Sequence, residues 1–141
     1  VKKLTYTLVC ILVLVCIASK QNDQITTLNG TWKLEAYHDL KTGLFELKQE
    51  TEKRTTEIIF SDNSKEGTIH GHTLQNEVFG NYILDGKGGM RVVNIGSSRA
   101  GEPQWGSKLI DVIRQTTHYT RTADSLLIYY KPNSRMIFIR M

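Results

Sequence analysis

Apolar and polar residues alternate along most of this chain, and the period changes once. In Thr31-Trp32-Lys33-Leu34-Glu35-Ala36-Tyr37, apolar Trp32, Leu34 and Ala36 alternate with Lys33 and Glu35. That is a strand with one wet face. Residues 45–56 are polar and read as loop or a poorly formed hairpin. Thr56-Glu57-Ile58-Ile59-Phe60 reads as the next strand, stopped by turn-forming Ser61-Asp62-Asn63-Ser64. Further strands are expected at about 67–73, 77–84 and 89–95. Asp85-Gly86-Lys87-Gly88-Gly89 provides the turn between the last two.

Trp105, Leu109, Val112 and Ile113 then fall at i, i+4, i+7 and i+8, one stripe of an α-helix over about 103–115. Pro103 suits the first helical position, and Glu102 favours the positive N-terminal end. Strand patterns return at Tyr119-Thr120-Arg121, Leu126-Leu127-Ile128-Tyr129-Tyr130 and Met136-Ile137-Phe138-Ile139. Lys131-Pro132-Asn133-Ser134 has the turn chemistry to join the last two. Those two strands are apolar on both faces, so each is expected to be covered on both sides. A helix packed across a strongly curved sheet would cover them. The fold class is α+β: a curved antiparallel sheet or open barrel of about seven to eight strands with one main helix.

The first residues have a different character. Lys2 and Lys3 precede a nearly continuous apolar run from Leu4 to Val15. The run is shorter than the roughly 20 residues a membrane-spanning helix needs, and a positive start before a short apolar stretch marks a secretory signal peptide. Leu12-Val13-Leu14-Val15-Cys16 resembles a lipobox, whose cysteine becomes the acylated first residue of a bacterial lipoprotein. Residues 1–15 are thus expected to be a lipoprotein-type signal, and 16–27 a lipid-anchor cysteine with a polar tether. Residues 28–141 form one domain. The alternative is cleavage near Ala18 and Ser19, releasing a soluble secreted or periplasmic protein.

This division changes the chemistry available. Cys10 and Cys16 are the two cysteines, so the domain beyond them has no disulfide, thiol nucleophile or cysteine metal ligand. The net charge of +4 falls to +2 without Lys2 and Lys3, with 16 basic residues against 14 acidic. That balance does not argue for nucleic acid.

Few side chains are candidates for a reaction. His70 and His72 share a strand face, with Glu77 close behind. Three such ligands and a water would suffice for zinc, but good zinc motifs carry fuller sets, so they read as strand residues. Gly96-Ser97-Ser98-Arg99-Ala100 only faintly resembles a nucleophile elbow, which needs a parallel sheet. The glycines at 85–89 lack phosphate-loop spacing. Tyr129-Tyr130-Lys131, and Tyr119 with Arg121, mix aromatic and basic groups but read as strand packing. No catalytic residue, cofactor or metal is assigned.

One ordered set of motifs spans roughly residues 28–141. Leu28-Asn29-Gly30-Thr31-Trp32-Lys33-Leu34 opens it; Gly71, Asn76 and Phe79-Gly80-Asn81-Tyr82 follow, then Ser98-Arg99 before the helix. The order resembles the META domain family, also called HslJ-like, with motifs G-T-W, G-x-x-G-C-N-x-x-x-G-x-Y and T-x-M-A-C. Gly30, Trp32, Gly71, Asn76, Gly80 and Tyr82 are the framework positions the resemblance carries over. Gln75 stands where the family has cysteine, and Ser98-Arg99-Ala100-Gly101 lacks the second one. The resemblance implies a non-catalytic, outer-membrane-anchored envelope lipoprotein, an interaction or stress/secretion accessory module partnered by another envelope protein. A docking surface is expected on the strands around 77–95. The alternative is a carrier of a small hydrophobic ligand. Gly30-Thr31-Trp32-Lys33-Leu34 also resembles the first strand of lipocalins, which would place Arg140 of the last strand near Trp32.

Overall fold

The computed structural model describes residues 26–98 and 100–141. The signal segment 1–15 and Cys16 lie outside these residues. Nine strands and one helix follow in order: β1 (Gly30–Asp39), β2 (Phe45–Leu47), β3 (Glu57–Asp62), β4 (Glu66–His72), β5 (Glu77–Leu84), β6 (Met90–Ser97), α1 (Gln104–Ile113), β7 (Thr116–Arg121), β8 (Ser125–Tyr130) and β9 (Ser134–Arg140). All the pairings are antiparallel, in the order β6-β5-β4-β3-β1-β9-β8-β7. The two ends of this series meet through a Gly89–His118 bridge and a Tyr119 N–H donated to Gly88 O at 2.9 Å. The sheet is therefore a nearly closed barrel with a single helix, and the α+β open-barrel class holds.

Alternation dictates what fills it. The inward positions of β1, β3, β5, β8 and β9 place Trp32, Phe60, Tyr82, Ile128 and Phe138 inside, each no more than 1% exposed. Phe60 meets Tyr82 and Phe138 edge-on, at 5.5 and 6.4 Å between ring centres. α1 closes the mouth where β1 and β6 end. Tyr37 donates its hydroxyl to Trp105 O at 2.9 Å, and Arg114 donates to Ile95 O at 3.2 Å. Its buried stripe of Trp105, Leu109, Val112 and Ile113 is the one the spacing predicts. Pro103 is the N-cap rather than the first helical residue. Glu102 is drawn aside, its carboxylate accepting from Gln75 N and Asn76 Nδ2.

The opposite mouth is closed by the start of the domain. Trp32 donates Nε1–H to Leu28 O at 2.8 Å, and Asp62 accepts from both Leu28 N and the Tyr82 hydroxyl at 2.7 Å. Thr26 and Thr27, expected in the tether, are held here. Tyr119 donates to Thr26 O, and Arg121 donates to Thr27 O and Oγ1. Arg140 pairs in register with Trp32, its guanidinium 5.7 Å from the ring centre, and Arg121 lies 5.2 Å from the same ring. The lipocalin-like placement of Arg140 is thus realised.

One expectation is overturned. The helix covers a mouth, not a wall, so among the described residues β8 and β9 are covered on one face only. Their outward residues Leu127, Tyr129 and Ile137 are partly exposed, and Ile139 is 39% exposed.

Candidate interaction surface

The framework residues have local physical reasons. Asn76 is 4% exposed and ties the β4–β5 turn to the segment before α1. Its Oδ1 accepts from Ala100 N and the Ser98 hydroxyl, while its Nδ2 donates to Ala100 O and Glu102 Oε2. Gly71 has φ +149° and passes so close to β3 that a Cβ would sit 2.1 Å from Glu57 O. At Gly80 a Cβ would lie 2.4 Å from Asn94 O, beside the irregular register of β5 and β6. Gly30 faces Trp32 Nε1. These positions, with Trp32 and Tyr82, build the barrel and present nothing reactive to solvent.

The metal candidates do not converge. His72 makes its ring contact with Thr73 O at 3.0 Å and stands 3.6 Å from Glu57, with Glu77 as its register partner on β5. His70 is exposed one row away, between Ile59 and Phe79. Among the described residues, no group of three or more histidine, cysteine, aspartate or glutamate side chains is placed to hold a metal ion. Ser98 spends its hydroxyl on Asn76 and Glu77 N. Asp85 turns the β5–β6 hairpin by accepting from Lys87 N and Gly89 N. Those backbone bonds hold its carboxyl below the usual value.

A different feature emerges on the outside of β2, β1, β9, β8 and β7. Register aligns Phe45, His38, Arg135, Tyr129 and His118 in one row across five strands. The row holds two stacked ring pairs with an arginine between them. Phe45 lies on His38 at 3.9 Å between centres and 11° between planes, and His118 lies on Tyr129 at 4.2 Å and 6°. Between the two pairs, Arg135 donates Nε–H to His38 Nδ1 at 3.1 Å and has its guanidinium 6.0 Å from the Tyr129 ring. A second row alongside it, Leu47, Ala36, Ile137, Leu127 and Thr120, is aliphatic apart from Thr120, with Ala36 buried among its neighbours. At strand spacing the rows are about 19 Å long.

The row continues into an open edge. β2 pairs with β1 alone, and Leu44, Phe45 and Leu47 are 70%, 57% and 66% exposed. Of the strands around 77–95, expected to offer the docking surface, β5 is paired on both sides, while β6 ends the strand series and meets β7 through the adjoining Gly89 and α1 through Arg114. The stack escaped the sequence reading because its five residues come from five strands. The available signal was the second apolar face of β8 and β9. Two further concavities open outward: about 730 Å³ beside Asp62, Glu66, Thr68 and Asn81, and about 410 Å³ between β2 and α1, lined by Tyr37, Glu46, Lys108 and Tyr130.

No protein-family model matches the chain, and no curated protein matches it. Solved structures do share its fold. A protein from Burkholderia xenovorans, determined by NMR, superposes with a TM-score of 0.62 at 15% identity, covering 80% of this chain and 82% of that one. A DUF4847 family protein from Bacteroides vulgatus ATCC 8482 gives 0.59 at 16%, covering 79% and 92%. At these identities the likeness is one of fold alone.

Proposed function

We propose that this chain is a non-catalytic envelope lipoprotein of META/HslJ-like type that works as an interaction module through the outer wall of β2, β1, β9, β8 and β7. The observation that carries this reading is the partial exposure of Leu127, Ile137 and Ile139, two neighbouring strands left apolar on the side that no element among the described residues covers. Apolar surface gains stability only when removed from water, and a contiguous exposed stretch marks an interaction site.

The direction of the chain supports the same reading. Thr26 and Thr27 enter at the Trp32 and Arg121 mouth, while the β1–β2 hairpin lies at the other end of β1, about 30 Å away for ten residues. A domain tethered through Cys16 would hold its anchor at one mouth and present the exposed hairpin away from the membrane, towards another envelope protein. A photo-crosslinking residue at position 139 should capture a protein in cells, and one at position 68 on the opposite wall should not. Equal capture from both positions, or none from 139, sinks the reading.

The carrier alternative finds less support. Trp32, Phe60, Tyr82, Ile128 and Phe138 occupy the space in which a lipocalin would hold its ligand.

A further inference from the structure

We infer that the outer wall recognises an acidic amphipathic segment of a partner protein, its carboxylates meeting the Phe45-to-His118 row and its apolar side chains lying on the aliphatic row beside it. This rests on the wall being the working face and adds the chemistry of what covers it.

The stack decides what can bind there. Within it, ring faces are consumed by one another, since the two aromatic pairs are within 11° of parallel. The paired faces are closed to sugars and nucleobases, which bind by stacking on open faces. The edges of the row remain for a partner. His38 accepts at Nδ1 from Arg135, so its Nε2 carries the proton of the neutral ring. Arg135 makes no ion pair among the described residues, and its terminal N–H groups retain donors beyond the weak contact with the Tyr129 hydroxyl at 3.5 Å.

Neither row contains a carboxylate. Glu46, next to Phe45, pairs instead with Lys108 on α1. A row of donors and one unpaired guanidinium calls for an anionic partner, and the planar fork of arginine suits carboxylate. A second copy of this wall would set Arg135 against a row equally short of acceptors, which argues against self-association. The aliphatic row calls for apolar side chains at the spacing of one strand row, which a bare polyanion lacks.

The test uses the purified full chain and three labelled 18-residue peptides that share one leucine stripe and carry Glu, Gln or Lys on the adjoining stripe. Fluorescence anisotropy at low salt should show binding of the Glu peptide. The Gln and Lys versions should bind about tenfold more weakly or worse, and Arg135→Gln should cost the Glu peptide about tenfold, one charge-assisted contact. Arg135→Lys should lose less, and Ile139→Ser, two residues along β9 from Ile137 of the aliphatic row and on the same face, should weaken the Glu peptide severalfold. Because both side chains are at the surface, circular dichroism should show the variants folded. If Glu and Gln peptides bind alike while Ile139→Ser still weakens both, the acidic chemistry is wrong and the docking wall stands. If neither substitution changes binding, the docking wall itself is wrong. Stronger, Arg135-dependent binding to vesicles of equal phosphatidylglycerol and phosphatidylcholine, or a dimer by ultracentrifugation, would also overturn the inference.

Discussion

Arg135 and His38 stand opposite one another on β9 and β1, and the arginine donates Nε–H to the histidine Nδ1 at 3.1 Å. That bond places the proton of the neutral histidine on Nε2, and it links two aromatic pairs in one row. Nitrogen NMR of His38 should show the Nε2–H tautomer in the wild type and a mixture in Arg135→Met. The substitution should lower stability by no more than about 1 kcal/mol, as expected for an exposed contact. An unchanged tautomer would mean that something else orients the ring.

Asn76 is the strongest of the framework positions by this reasoning. Asn76→Ala removes four side-chain hydrogen bonds and leaves Ala100 N and the Glu102 carboxylate short of partners. Buried losses of this kind should cost about 2–4 kcal/mol, read from urea unfolding. Asn76→Asp should also be costly at neutral pH, because a carboxylate cannot donate to Glu102. Acidification should relieve part of that loss. A neutral effect for the alanine variant would remove Asn76 from the framework.

Gly71 and Gly86 offer a contrast within one barrel. Gly71→Ala combines φ +149° with a Cβ only 2.1 Å from Glu57 O. It should lose about 3 kcal/mol or more, or fail to fold. Gly86 also has positive φ, +75°, but nothing lies within 4 Å of its added Cβ. Gly86→Ala should cost about 1 kcal/mol, the left-handed backbone alone. Thermal unfolding of the two variants side by side gives the comparison, and equal losses would contradict the account of the β3–β4 approach.

Four tyrosines should make the fold sensitive to alkali. Burial raises the pKa of Tyr37, Tyr82, Tyr119 and Tyr130 above the ordinary value of 10.0, and the Asp62 hydrogen bond adds to the shift of Tyr82. Above pH 10 the unfolded chain releases these protons while the folded one keeps them. The unfolded state then binds fewer protons, so stability falls as pH rises, by up to about 1.4 kcal/mol per pH unit for each tyrosine. Urea unfolding from pH 8 to 11 should show this decline, and Tyr82→Phe should make it shallower. A flat profile would show that the phenols ionise equally in both states.

Much of the barrel was legible because alternation is a local property. Trp32 and Leu34 and the stripe from Trp105 to Ile113 point inward for the reasons their spacing gives. The framework of Gly71, Asn76 and Gly80 was visible as a motif, though its purpose needed the distances to Glu57, Ala100 and Asn94. What could not be read was position across strands. His38 and His118 belong to distant stretches of sequence that register places in one row, whereas His70 and His72 stay on one face of β4 with no third ligand grouped with them among the described residues. The double-sided apolar pattern of β8 and β9 is plain in the sequence, but sequence shows that a face is apolar and not what lies over it.

This barrel is filled, and on the proposed reading it works from its outside. Native mass spectrometry of the full chain, purified gently from cells, is the first measurement to make. No non-covalent small molecule should be retained, with the chain found alone or with a protein partner. A retained lipid or other small hydrophobe, lost on Trp32→Ala but kept on Ile139→Ser, would contradict that reading and place the function inside.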